Sequence, residues 1–212
     1  MRSQCRRSLL AMMMGLVGAG LARGQEVPAD TAAAMAQAMA ALGQAAEKSA
    51  AAGAVDAKEL RALLPEKDAV AGFKRVKAGT ESNTAMGFKV VVAKAEFEAL
   101  EGDASFSVQY TDIGGLGALA KMAVTMQEID EETENGFRRT ATYAGFKALE
   151  EYDGEDKSGK VQIYPGDRVA VEVEAFGMSF DAVKQIVGKL DLKKLAALKP
   201  TAAPAPSPAT TK

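Results

Sequence analysis

The chain has 212 residues, with 26 Lys and Arg residues against 28 Asp and Glu residues and a formal net charge of −2. It contains no His, and its single Cys is Cys5. These absences exclude Ser-His-Asp triads, haem ligation by His and ordinary zinc sites, so only carboxylate or Lys chemistry remains for a catalyst. A mildly acidic chain without a basic patch interleaved with aromatic residues also argues against nucleic-acid binding.

The first 24 residues predict a signal peptide for export from a bacterial cytoplasm. Arg2, Arg6 and Arg7 form a basic start, an apolar run extends from Leu9 to Leu21, and small residues stand at positions 22 and 24. The apolar run is shorter than the ~20 residues that span a bilayer. We therefore expect a periplasmic or secreted protein without a membrane span in the mature chain. The adjacent Arg6 and Arg7 leave both Sec and twin-arginine export open.

Three regions are predicted after the signal peptide. Residues 25–55 are rich in Ala, and Met35, Met39 and Leu42 recur at helical spacing, which predicts a helix that serves as a spacer, docks on the domain or binds a partner. All aromatic side chains lie between Phe73 and Phe180, so residues 56–199 are the predicted folded domain. Residues 200–212 consist of Pro, Ala, Ser and Thr before a final Lys, a composition that predicts a disordered tail.

Inside the domain, a short helix is expected after Asp56, whose spacing to Glu59 matches a capping box, and Pro65 ends it. Two more helices are expected, at Gly117–Gln127 and after the cap residue Ser179. Period-2 alternation predicts six strands: Phe88–Phe97, Ala104–Thr111, Gly136–Tyr143, Phe146–Tyr152, Lys160–Tyr164 and Arg168–Phe176. Short turns and strands with one apolar face indicate antiparallel pairing. The predicted fold class is α+β, a single antiparallel β-sheet packed by helices and preceded by the Ala-rich helix.

A glycine-rich turn between the second predicted strand and the next helix is one candidate ligand-binding segment. It contains Asp112, Gly114, Gly115 and Gly117, and its spacing matches a relaxed dinucleotide fingerprint. Its backbone N–H groups could cradle a phosphate at the start of a helix. The alternative is a tight turn that needs glycine's freedom at positive φ. The antiparallel flanks favour the structural alternative, because the fingerprint belongs to parallel βαβ units.

An acidic cluster around Glu150, Tyr152 and Asp153 is the other candidate ligand-binding segment. Its oxygen atoms could bind a hard cation, although the spacing does not fit an EF-hand loop. A second acidic run covers Glu128–Glu134. Runs of like charge are more often solvated surface, so we predict no metal site, no cofactor and no catalytic residue.

Several short strings together resemble a group of small exported bacterial proteins of uncharacterised function, over roughly Asp56 to Lys199. The strings are Leu64–Pro65, Gly72–Arg75, Ala85–Phe88, Thr111–Gly115, Glu150–Asp153 and Asp191–Leu195. The resemblance implies an exported protein and carries no activity with it. The order of predicted elements is also similar to the fold shared by Mog1 and the photosystem II PsbP protein, and a fold does not assign a function.

The function predicted from these observations is that of an exported, non-catalytic domain that binds a protein partner or a small ligand in the cell envelope. One alternative is a carboxylate-dependent hydrolase of envelope polymers, which requires two convergent carboxylates in a cleft. Another is a carrier of an apolar small molecule, which requires an apolar cavity under the sheet. The oligomeric state stays open.

Overall fold

The structure is a computed structural model that describes residues 53–85, 88–114 and 128–201, together with positions 40, 44, 117 and 121. The strands are β1 (Phe73–Ala85), β2 (Phe88–Ala99), β3 (Ser105–Asp112), β4 (Asp130–Glu132), β5 (Gly136–Tyr143), β6 (Phe146–Asp153), β7 (Ser158–Ile163) and β8 (Val169–Phe176). The helices are α1 (Ala57–Ala62), α2 (Phe180–Val187) and α3 (Leu192–Ala197). All of them belong to one compact unit, Leu42–Lys212.

The eight strands form one antiparallel sheet in the order β1-β2-β3-β8-β7-β6-β5-β4. Strand β8 lies at the centre, between β3 and β7. The turn between β5 and β6 is Ala144-Gly145, and both residues have positive φ, 51° and 89°. Two positive φ values match the right-handed twist of the flanking strands, which is why short hairpins adopt such turns.

The apolar core lies between one face of the sheet and the three helices, and we call this the helix face. Alternation builds it: in β8, every second residue from Val169 to Ala175 is buried, and β3 shows the same pattern. Leu60 of α1 and Val183 of α2 are completely buried against it. Gly159 of β7 lies under α2, where a Cβ atom would approach Val183 Cγ2 to 3.0 Å, so a side chain there would push the helix away.

The predicted fold class is confirmed, since one antiparallel sheet is packed by helices. The six predicted strands match β2, β3, β5, β6, β7 and β8 to within two residues at each end. The alternation does not reveal β1, because its register shifts between Arg75 and Lys77 and its second half is polar. Strand β4 consists of three exposed acidic residues within the run Glu128–Glu134, and only its pairing with β5 makes it a strand.

The two ends of the folded region are held together by a backbone hydrogen bond from Thr201 N to Ala54 O, 2.9 Å long. Ala54 and Val55 are buried, so the chain joins the core before α1 begins. The predicted signal peptide and most of the predicted tail lie outside the described residues. Of the Ala-rich segment before residue 53, Ala40 and Gln44 are described, and both are helical. Within the described part of the chain, no helix is both long enough and apolar enough to cross a membrane.

Candidate functional site

Asp112, at the end of β3, binds three donors of the protein itself. Its carboxylate accepts hydrogen bonds from Val55 N at 2.7 Å, Gly114 N at 2.9 Å and Arg168 Nη2 at 3.0 Å. The residue is completely buried, and Arg168 Nη2 also donates to the Gly53 carbonyl at 2.8 Å. Asp112 therefore joins the segment before α1, the glycine turn and the loop before β8.

The glycines of this turn have structural constraints of their own. Gly114 has a φ of 57°, and its carbonyl accepts a hydrogen bond from Gly117 N at 3.1 Å. A Cβ atom on Gly117 would overlap the backbone of Asp167, so the turn packs directly against the loop before β8. Gly115 lies outside the described residues. The contacts of Asp112, Gly114 and Gly117 are thus the contacts of a tight, packed turn.

Glu150 is buried on the helix face of β6, and it is bound by two side chains of β5. Arg139 Nε donates to Glu150 Oε2 at 2.8 Å, and the Tyr143 hydroxyl donates to Oε1 at 2.5 Å. The hydrogen bond to Glu150 raises the pKa of Arg139. Burial, followed by the hydroxyl's own hydrogen bond to Glu150, raises the pKa of Tyr143. The Arg139 guanidinium also lies 4.2 Å from the centre of the Phe137 ring. Glu150 therefore anchors β5 to β6.

Tyr152 and Asp153 follow Glu150, and the structure places them at one wall of a surface depression. The Tyr152 ring lies among the aromatic rings of Phe137 and Phe180, at centroid distances of 5.9 and 5.6 Å. The Asp153 carboxylate accepts hydrogen bonds from the backbone N–H groups of Glu155 and Asp156 and so stabilises the turn before β7. Among the predicted ligand-binding residues that the structure describes, Tyr152 and Asp153 are the ones that line this depression.

The depression has a volume of about 390 Å³ and lies at the ends of strands β5 to β8. We call it the polar-face depression, because most of its lining belongs to the face of the sheet opposite the helices. The lining residues are Phe137, Arg138, Glu151, Tyr152, Asp153, Ser158, Gly159, Lys160, Glu174 and Phe176. Phe176 is 55% exposed, which is unusual for an aromatic side chain at the surface. A volume of a few hundred Å³ suits a small organic ligand.

A row of polar side chains, all charged except Ser107, crosses this face of the sheet and passes through the depression. Successive strand pairs place one residue of each strand side by side, in the order Glu131, Arg138, Glu151, Lys160, Glu174, Ser107, Glu96 and Lys77. Arg138 Nε lies 2.8 Å from Glu151 Oε1, and Lys160 Nζ lies 3.1 Å from Glu174 Oε1. Opposite charges on neighbouring strands stabilise the pairing.

Lys160, another cation of the row, is bound by two carboxylates of β8. Its ammonium group lies 2.9 Å from Glu172 and 3.1 Å from Glu174. Partial burial lowers the pKa of Lys160, but the hydrogen bonds and charges of Glu172 and Glu174 outweigh it, and the net shift is upward. The group is therefore positively charged at neutral pH.

Arg138, Lys160, Glu174 and Phe176 were not among the residues predicted to bind a ligand. The alternation within each strand does show that these residues lie on the face of the sheet away from the apolar core. It does not show that they are neighbours, because that depends on the register of three separate strand pairs. Over the ranges described, no group of three or more Asp, Glu or Cys side chains is arranged to hold a metal ion.

The fold and the site together define an α+β domain with one antiparallel sheet, helices on one face, and a charged depression on the other. No family model, no curated protein and no solved structure matches the chain. The resemblance to small exported bacterial proteins and to the Mog1 and PsbP fold stays a prediction.

Proposed function

We propose that this chain is an exported, non-catalytic binding domain, and that the polar-face depression holds a small polar ligand with one apolar side. The exposed ring of Phe176 beside the paired charges of Arg138 and Lys160 is the observation that carries the proposal. An aromatic surface supports the apolar side of a ligand, while fixed charges orient its polar groups. The basic start and apolar run of the first 24 residues support export.

The arrangement of the carboxylates favours binding over hydrolysis. A glycosidase needs one carboxylic acid that gives a proton and one carboxylate that attacks or activates water. In the depression, Glu151 binds Arg138, and Glu174 shares Lys160 with Glu172. Both glutamates are thus engaged in ion pairs with neighbouring strands, an arrangement that suits orientation of a polar ligand.

Charged linings also support a polar ligand over an apolar one. The polar-face depression and another depression, between α1 and β1, both carry several charged side chains along their walls. Burying an apolar molecule against them would remove ionised groups from water, a cost in free energy that pairing of the charges offsets only in part. A carrier of apolar molecules would instead be lined mainly by aliphatic and aromatic side chains.

The proposal can be tested by native mass spectrometry of the protein purified from the bacterial periplasm. We expect a bound species of discrete small mass that is retained by the parent protein and lost from Phe176→Ser. Val76→Ser is the matched control, because Val76 is also an exposed apolar residue, at 44%, and lies on β1 at the far edge of the sheet. Loss of the species from both variants, or its absence from the parent, would remove the depression as the site.

A second measurement addresses catalysis. The purified protein is incubated with a panel of esterase, glycosidase, phosphatase and peptidase substrates, and we expect no turnover above that of a buffer control. Turnover that follows the protein through purification and disappears in Glu151→Gln or Glu174→Gln would overturn the non-catalytic proposal.

A further inference from the structure

A second depression, of about 560 Å³, lies between α1 and β1, remote from the polar-face depression. Its charged lining consists of four cations and one carboxylate: Lys58, Arg61, Lys67, Arg75 and Glu66. We call it the basic cleft. The whole chain has a formal net charge of −2, so this excess of positive charge is local.

The bulge in β1 gives the cleft its shape. Arg75 lies opposite Phe97 of β2, and Ala78 lies opposite Ala95. Phe97 and Ala95 are buried on the helix face, so Arg75 and Ala78 lie on that face as well. In a regular strand, residues three apart point to opposite faces, and the extra residue Val76 removes this restriction. Bulges that redirect a side chain are frequent beside functional sites.

The wall of the cleft is held in place by hydrogen bonds. Arg75 Nη1 donates to the Pro65 carbonyl at 2.8 Å, and Arg75 N donates to the Lys67 carbonyl at 3.2 Å. On the opposite wall, Lys58 and Arg61 are three residues apart on α1, a spacing that places side chains on one side of a helix.

Protection of the sheet edge does not account for Lys58, Arg61 and Lys67. Lys residues on an edge strand discourage pairing with other chains, and Lys74 and Lys77 of β1 fit that role. Lys58 and Arg61 belong to a helix and Lys67 to a loop, where there is no strand edge to protect. Four like charges around one depression repel each other, and an anion between them would relieve that repulsion.

We propose that the basic cleft binds a soluble multivalent oxyanion, such as the phosphate groups of a phosphorylated small molecule. Arg side chains bind phosphate oxygens in pairs of hydrogen bonds, and Lys contributes a compact charge. The volume exceeds that of a single phosphate and leaves room for the group that carries it. This site does not depend on the polar-face depression or its ligand.

Titration calorimetry with inorganic pyrophosphate tests the cleft in the full chain at constant ionic strength. We expect the parent to bind pyrophosphate. In Lys58→Gln/Arg61→Gln, the dissociation constant should be larger by about tenfold for each of the two cations removed. The control is Lys189→Gln/Lys193→Gln, which removes the same charge from exposed positions after α2 and on α3 and should bind like the parent. Without pyrophosphate, the cleft variant should melt no lower than the parent, since it loses repulsion and no described hydrogen bond.

Three results would overturn the proposal. The first is an equal loss of pyrophosphate affinity in the cleft variant and in the control variant, which would mean that pyrophosphate is attracted by the positive charge of the surface in general. The second is a lower melting temperature of the cleft variant without ligand, which would give the cations a structural role. The third is binding to vesicles of phosphatidylglycerol and phosphatidylcholine with no binding of pyrophosphate, which would assign the cleft to a membrane surface. The Phe176→Ser variant should bind pyrophosphate like the parent. The proposal for the polar-face depression can therefore fail without affecting this result.

Discussion

Removal of the Asp112 carboxylate is the most demanding test of the structural interpretation of the glycine turn. In Asp112→Ala, the backbone N–H groups of Val55 and Gly114 lose their acceptor, and Arg168 loses its ion pair. The Arg168 side chain is only 17% exposed, so water cannot fully replace the lost carboxylate. The expected result is a folded but strongly destabilised protein.

The magnitude follows from the burial of the pair. Breaking a buried ion pair by removing one partner costs about 3–5 kcal/mol, because the other charge stays buried and uncompensated. Set against a total stability of about 5–15 kcal/mol, this is a large fraction. For a domain of this size, each kcal/mol shifts the melting temperature by about 2–4 °C, so a decrease of about 6–20 °C is expected.

The assay is thermal and urea unfolding followed by circular dichroism, with Asp103→Ala as control. Asp103 is an exposed residue of the loop between β2 and β3, and its removal should change stability by less than about 0.5 kcal/mol. The double variant Asp112→Ala/Arg168→Met should recover part of the loss, since no charge is left unpaired. If Asp112→Ala melts with the parent, the carboxylate does not hold the turn and a ligand-binding role for Asp112 gains support.

Val171→Asp should abolish the cooperative melting transition, because Val171 is 1% exposed at the centre of the sheet and an unpaired buried charge costs several kcal/mol. Glu172→Ala, at the next residue and on the opposite face of the sheet, should cost at most about 1 kcal/mol. Similar melting curves for the two variants would show that the two faces of β8 are assigned the wrong way round. Gly117→Ala should lower the free energy of unfolding by at least ~1 kcal/mol, because its Cβ atom would overlap the Asp167 carbonyl, and an unchanged urea midpoint would contradict this packing. Burial, and then the charge of Asp191, raises the pKa of Tyr110 in the folded protein above its ordinary value of about 10. The folded protein therefore holds this proton more tightly than the unfolded chain does, and the free energy of unfolding should decline as pH rises above about 10 toward the folded-state pKa. Urea unfolding across that range should show a shallower decline in Tyr110→Phe, and an identical pH dependence would mean that Tyr110 does not titrate differently on folding.

The sequence alone determined the positions of six of the eight strands, because a strand with one buried face repeats its apolar residues at every second position. Val169 to Ala175 and Phe106 to Tyr110 reveal their buried faces without any knowledge of their neighbours. Local chemistry likewise determined two helix ends, since Asp56 and Ser179 cap α1 and α2 as their side chains predict. These features depend on interactions between residues close together in the chain.

Only the tertiary structure decided which charged side chains meet. Four neighbouring strands each contribute one charged residue to the depression: Arg138, Glu151, Lys160 and Glu174. Their proximity depends on the strand order and on the register, and a shift of one residue in the register would move a side chain to the other face. The basic cleft has the same origin, since it needs both the bulge in β1 and the docking of α1 beside it. Alternation in a sequence reports which face a residue takes, whereas the partners on that face are set by contacts between distant segments.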